Sequence, residues 1–284
     1  MFKNLNAGAI GIKDLSLAET IKLAQATGYS GIDFDIQEAT TLANENGIDN
    51  VKALFADADI KAGAWGPPVD WRGDGWADDL KALPEYAEVA KELGATRCAT
   101  WCPPSSADVP FDDNFKFHVE RYGGIAETLK PYGIRFGIEF IGPQHMRPDD
   151  QHTFIYTMEG MLELCEAIGT GNVGLLLDAY HLYTSGGKID DLDKVTNANI
   201  VNVHINDAVD GLTMAEHQDL DRRLPMETGV IPLEGFMKKL IAIGYDGPVT
   251  VEPFSKRVNS IDDSTEAATL VMTYIDRVWD AAGL

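Results

Sequence analysis

The sequence has little cysteine and little positive charge. Only Cys98, Cys102 and Cys165 occur among its 284 residues. Three thiols at scattered spacing make no disulfide framework, and Cys98 and Cys102 do not form a C-x-x-C pair. A stapled secreted scaffold is therefore excluded, and reduced thiols in a cytoplasmic protein are the expectation. Lysine and arginine total 23 against 45 aspartates and glutamates, a formal net charge of −22. Such a surface repels nucleic acid, which proteins bind by releasing counterions to basic side chains, and it disfavours anionic membranes. No apolar run approaches the ~20 residues of a membrane span. The first twelve residues hold one lysine and no apolar stretch of signal-peptide length. Low-complexity tracts and flexible linkers are absent too. Neither GxGxxG nor a P-loop pattern follows an early strand, which removes the usual phosphate-binding turns of an open doubly wound sheet.

What is present is an alternation of short apolar runs with longer amphipathic stretches that end near glycine. The runs fall at residues 7–12, 31–34, 60–65, 96–101, 134–140, 173–177, 200–205 and 248–251. Helical patterns occupy 15–27, 50–58, 76–93, 114–131, 153–168, 233–243 and 262–282. Gly28, Gly94 and Gly244 close three of them, where glycine supplies the left-handed residue past a helix end. Eight strand-like runs alternating with helices predict a parallel sheet, and closure into an α/β (β/α)₈ TIM barrel is the natural solution. One domain over 1–284 is the expected organisation, with an open doubly wound sheet as the alternative.

In such a barrel the chemistry sits at the carboxyl ends of the strands. The fifth run ends Ile138-Glu139-Phe140, the sixth Leu177-Asp178, the seventh holds Val203-His204-Ile205, and the eighth ends Val251-Glu252-Pro253. Three carboxylates and an imidazole converging on one mouth repel one another unless a cation lies between them. Oxygen-rich ligation with one histidine suits Mn²⁺ or Mg²⁺, with Co²⁺ or Zn²⁺ as further choices. Glu139, Asp178, His204 and Glu252 are the candidate ligands.

These segments resemble the xylose-isomerase-like superfamily of sugar isomerases and epimerases. Leu177-Asp178-Ala179-Tyr180-His181 is similar to its LDxxH motif, and Asn202 to Ala208 resembles its vHvnDa strand. Gly244 to Phe254 resembles GYdGpvsvEpF. The resemblance implies that Glu139 and Glu252 are both ligands and acid/base groups on opposite faces of a small carbohydrate. One removes a proton beside a carbonyl and the other returns one, and the ene-diolate formed between is held by the cation. It implies that His181 contacts a substrate oxygen, and it suggests a dimer or tetramer. The stretch from Asp221 to Ile231 is similar to the family's RxLPGxGxid loop, with Met226 in place of a glycine and one extra residue before Gly229. Arg222 is the preferred equivalent of its arginine by spacing to Leu-Pro, with Arg223 close behind. The ketose 3-epimerase branch has an arginine where this chain has Asp210 and a glutamate where it has His145, which counts against a plain ketose 3-epimerase.

His145, in the segment after the fifth run, and Trp65 and Trp101, after the third and fourth, are further candidates for lining the pocket. The expected function is a metal-dependent sugar isomerase or epimerase. A lyase or dehydratase on a keto-sugar, such as 3-keto-glycoside cleavage or keto-inositol dehydration, is the alternative on the same platform. An abasic-site endonuclease is disfavoured by the few histidines and the acidity, and a non-catalytic carbohydrate-binding protein by the two facing carboxylates.

Overall fold

The computed structural model describes residues 1–284. Eight parallel strands share one sheet: β1 (Phe2–Leu5), β2 (Gly31–Ile32), β3 (Lys61–Ala62), β4 (Arg97–Cys102), β5 (Arg135–Phe140), β6 (Val173–Asp178), β7 (Ile200–Ile205) and β8 (Pro248–Val251). Their hydrogen-bonded order is β3-β2-β1-β8-β7-β6-β5-β4. The two ends of that list meet through Trp65, whose N–H donates to the Arg97 carbonyl at 3.3 Å and whose carbonyl accepts from Ala99 N–H at 2.9 Å. The sheet thus curls into a (β/α)₈ barrel.

The helices are α1 (Leu17–Thr27), α2 (Ile36–Asn46), α3 (Ile48–Ala58), α4 (Trp76–Glu92), α5 (Phe111–Leu129), α6 (Met158–Ile168), α7 (Ala179–Thr184), α8 (Leu233–Ile243), α9 (Lys256–Asn259) and α10 (Ser264–Ala282). Local chemistry sets their ends. Ser16 caps α1 through the Glu19 N–H, and the Glu19 carboxylate accepts from Ser16 N–H at 2.9 Å. This reciprocal pair fixes the helix start, and Gly28 at φ 85° stops it. The inner face of α1, with Leu17, Ile21 and Ala24, is buried against the barrel. β5 and β6 are buried at all but their first residue, and every residue of β7 is buried.

Three sequence expectations need correction. The first strand is Phe2–Leu5, and the apolar run at 7–12 instead contains a 3₁₀ turn, Gly8–Ile10. The strand was hidden because Asn4 serves the barrel interior with hydrogen bonds, not apolar packing: its amide donates to Asp33 at 2.7 Å and to Thr250 at 3.0 Å. Gly63 is required beside it, since a Cβ there would run into the Asn4 side chain. The helix expected from 153 begins at Met158, after a Thr157 cap. The expected helix at 50–58 is preceded by a further one, α2, which the sequence pattern did not show.

Candidate active site

Each member of the quartet is delivered by a strand end. Glu139 lies one residue before the end of β5, Asp178 ends β6, His204 is the penultimate residue of β7, and Glu252 follows β8. One ligand-capable atom from each lies within 4.8 Å of all the others. His204 Nδ1 sits between the two glutamates, 3.5 Å from Glu139 Oε1 and 3.4 Å from Glu252 Oε2, with Asp178 Oδ2 at 4.0 Å. Asp178 divides its work. Oδ1 accepts the Tyr180 N–H at 2.6 Å and caps α7, while Oδ2 faces the cluster. Asn206 ties the neighbouring strands by accepting Glu252 N–H at 2.9 Å and reaching towards Asp178 Oδ2 at 3.5 Å.

Glu139 Oε1 and His204 Nδ1 are buried without a hydrogen-bond partner. Buried polar atoms are almost always satisfied, so unpartnered polar atoms facing one another mark a place for a bound group. Three carboxylates and an imidazole are the chemistry of a divalent-cation site, and the residues fit one. Burial pushes Glu139 above the ordinary carboxylate range, with the charge of Glu252 adding to it against the pull of His204. Burial also acts on Glu252, but His204 and Arg222 outweigh it and hold that carboxyl below its ordinary value.

Arg222 is 1% exposed and lies behind the quartet. Its guanidinium donates to Asp178 Oδ2 at 2.8 Å, Glu252 Oε2 at 3.3 Å and Asp219 Oδ1 at 2.8 Å, between the rings of Tyr180 and Phe254. Arg223 turns away and pairs with Asp221 at 2.8 Å, which separates the two arginines that the sequence left together. His181 is fully buried on α7. Its Nδ1 accepts from Gly142 N–H at 3.2 Å, and its Nε2 meets the Arg222 guanidinium at 3.2 Å, with Asp219 Oδ1 at 3.7 Å and Glu139 Oε1 at 3.9 Å. Burial and the adjacent Arg222 depress this histidine to about 3, which keeps it neutral.

The outer candidates are dispersed. Trp65 is buried, spends its indole N–H on the Ala95 carbonyl at 3.0 Å, and lines a cleft that runs from His204 to the ends of β1–β3. Trp101 is 40% exposed and sandwiches the Arg72 guanidinium with Trp71. His145 is exposed, and its Nδ1 meets the His217 carbonyl at 3.3 Å, away from that cleft. Asp210 is exposed as well. The structure adds residues that sequence reasoning passed over. Asp33, just past β2, and Asn202, two residues before His204 on β7, both line the cleft. The period-two alternation of a strand puts Asn202, His204 and Asn206 on one face, and that was the available signal for Asn202.

A family model described as "Xylose isomerase-like TIM barrel" matches residues 21–274. The chain belongs to this family. An inosose isomerase of Halalkalibacterium halodurans is 26% identical over 251 residues, covering 87% of this chain and 86% of its own. Further relatives are named 3-dehydroshikimate dehydratase, 2-oxo-tetronate isomerase and ketose 3-epimerase. Among solved structures, a xylose isomerase domain protein from Alicyclobacillus acidocaldarius superposes with a TM-score of 0.88 at 30% identity, covering 100% of both chains. The IOLI protein, solved with a zinc atom, has a TM-score of 0.77 at 22% identity over 100% of this chain and 98% of its own, a likeness of fold. The relatives are named as enzymes of isomerase, epimerase and dehydratase type, and the barrel of this chain carries a candidate metal site.

Proposed function

We propose that this chain is a divalent-metal-dependent isomerase or epimerase that moves a proton beside the carbonyl of a small carbohydrate. The reading rests on one observation above all: two carboxylates, the buried Glu139 and the half-buried Glu252, flank His204 at 3.5 and 3.4 Å with Asp178 completing the set. Glu139, Asp178, His204 and Glu252 would hold the cation, with manganese the favoured ion and zinc next. When bound, the ion polarises the substrate carbonyl and acidifies the neighbouring C–H.

The chain's own residues do the rest. In this reading, as the family resemblance implies, Glu139 and Glu252 meet the substrate on opposite faces. One takes the proton and the other returns it, to the neighbouring carbon for isomerisation or to the opposite face for epimerisation. Arg222 holds the carboxylates of Asp178 and Glu252 in place from behind and, after His204, helps to hold the Glu252 carboxyl below its ordinary value. His181 acts from the same side, its Nε2 against the Arg222 guanidinium at 3.2 Å and 3.9 Å from Glu139 Oε1. A dehydratase or lyase uses the same proton abstraction and then expels a leaving group; the relative named as a dehydratase keeps that reading beside the first.

Incubation with Mn²⁺ and a panel of ketoses in D₂O tests the reading. Deuterium incorporation without loss of water or an aglycone supports isomerisation or epimerisation, whereas release of either supports the second reading. Glu252→Gln is expected to lower turnover by roughly 10²–10⁴-fold while leaving the fold intact by circular dichroism. Retained turnover would sink the role given to Glu252. The ion has its own readout. Cation at about 100 times its Kd adds about 2.7 kcal/mol of stability, which raises the melting midpoint by roughly 5 °C or more. His204→Gln should abolish that rise.

A further inference from the structure

The cleft beside His204 has a volume of about 390 Å³, at the small end of ligand pockets. Among its 19 lining residues are four carboxylates, Asp14, Asp33, Asp35 and Glu38, and no lysine or arginine. The nearest buried arginine, Arg222, is consumed by Asp178, Asp219 and Glu252. Arg147 is spent on the Gly142 carbonyl and the Tyr156 ring, and Arg72 on Trp71 and Trp101. At the ligand cluster itself, three carboxylates outnumber the two charges of a divalent ion.

Asp33 is the inner member of this wall. Its Oδ1 is satisfied by the Asn4 amide at 2.7 Å and Ala64 N–H at 2.9 Å, while Oδ2 has only the Asn6 amide at 3.4 Å. Asn202 lines the same cleft, is 4% exposed, and its Oδ1 has no hydrogen-bond partner. Two underused acceptors, one of them charged, call for donors. Hydroxyl groups supply donors; phosphate and carboxylate oxygens do not, and they meet repulsion as well.

We propose that the cleft selects an uncharged, hydroxyl-rich substrate over phosphorylated or carboxylated ones, and that Asp33 is the specificity-determining residue, accepting a hydroxyl remote from the reacting carbonyl. This deepens the function proposed above and rests on the same site. Within that function it favours neutral polyhydroxy ketones over sugar phosphates and keto-acids.

The test is calorimetry on the full chain loaded with Mn²⁺, using myo-inositol, its monophosphate and gluconate as probes. The neutral polyol should bind about 100-fold tighter than either anion, since unlike water the cleft screens a charge pair poorly. Asp33→Asn should weaken myo-inositol about tenfold and narrow the gap to the monophosphate. Asp33→Glu keeps the charge and should keep the exclusion of the anions even if the displaced carboxylate weakens the polyol. Equal binding of neutral and anionic probes, no binding of any probe, or no effect of Asp33→Asn would each overturn the proposal. The two readings fail separately. Selective binding of myo-inositol without hydrogen exchange in any ketose leaves this inference standing and removes the isomerase; exchange that Asp33→Asn and phosphorylation leave unchanged does the reverse.

Discussion

Outside the site, one side chain stands out for its titration. His118 is 2% exposed, its Nε2 is unpartnered, and it packs among the rings of Trp71, Phe117, Tyr122 and Phe154. Burial lowers it to about 4, although its Nδ1–H bond to the Asn114 carbonyl at 2.8 Å works the other way. The folded value lies below the ordinary 6.5, so the unfolded chain takes up this proton first as the medium acidifies. The stability held by the neutral ring is complete above pH 6.5 and is lost as pH falls towards 4, by up to about 3 kcal/mol. Urea denaturation across that window should show a flatter pH dependence for His118→Phe than for the wild type; identical slopes would refute the assignment. At this scale the sequence was legible where charge followed an apolar run, as at Asp178 and Glu252. It was opaque at Asp33, which falls inside the run at 31–34, and at Asn202, whose amide carries no charge to notice.

The loop that carries Arg222 owes its shape to a single carboxylate. Asp207, fully buried after β7, accepts four backbone N–H groups: Ala208 and Ile231 on Oδ1, both at 2.9 Å, and Thr228 and Gly229 on Oδ2 at 2.9 and 2.6 Å. Its own backbone pairs with Arg223 in both directions, at 2.9 and 2.8 Å. Charge-assisted bonds of this kind contribute about 1.5–3 kcal/mol each before cooperativity, and their loss strands buried donors. Asp207→Ala should therefore cost about 3 kcal/mol or more in chemical denaturation. Turnover should fall with it, because Arg222 loses its footing; full activity in a folded variant would show that the loop has another anchor. Met226 clarifies the departure from the family's loop pattern. It stands where a glycine was expected and adopts φ 58°, so the left-handed turn persists without the residue that makes it easy. Periodicity could reveal the long helices, whose apolar faces repeat, but not this loop, because its order comes from one carboxylate reaching backbone groups more than twenty positions away.

The whole molecule is acidic to an unusual degree, at −22 for 284 residues. Many charges are unpaired at the surface, and like-charge repulsion opposes compaction until salt screens it. Raising NaCl from about 10 mM to about 200 mM, where the Debye length shrinks from roughly 30 Å to under 10 Å, should raise the melting midpoint. A fall would mean that attractive surface pairs such as Lys194 with Glu159 and Asp191 outweigh the repulsion. No helix is long and apolar enough to cross a membrane. The architecture was legible from eight repeats of one pattern, and among the strands the first was misplaced, because Lys3 and Asn4 break the apolar signal.

The ring of strands is not equally strong all round. β5 and β6 pair along much of their length, but β2 and β3 are two residues each, and closure onto β4 depends on the two hydrogen bonds of Trp65. That thin seam is also a wall of the cleft. The most sparsely paired part of the ring therefore lies where a ligand would sit. Trp65 therefore serves twice, as the link that closes the ring and as part of the surface a ligand would meet.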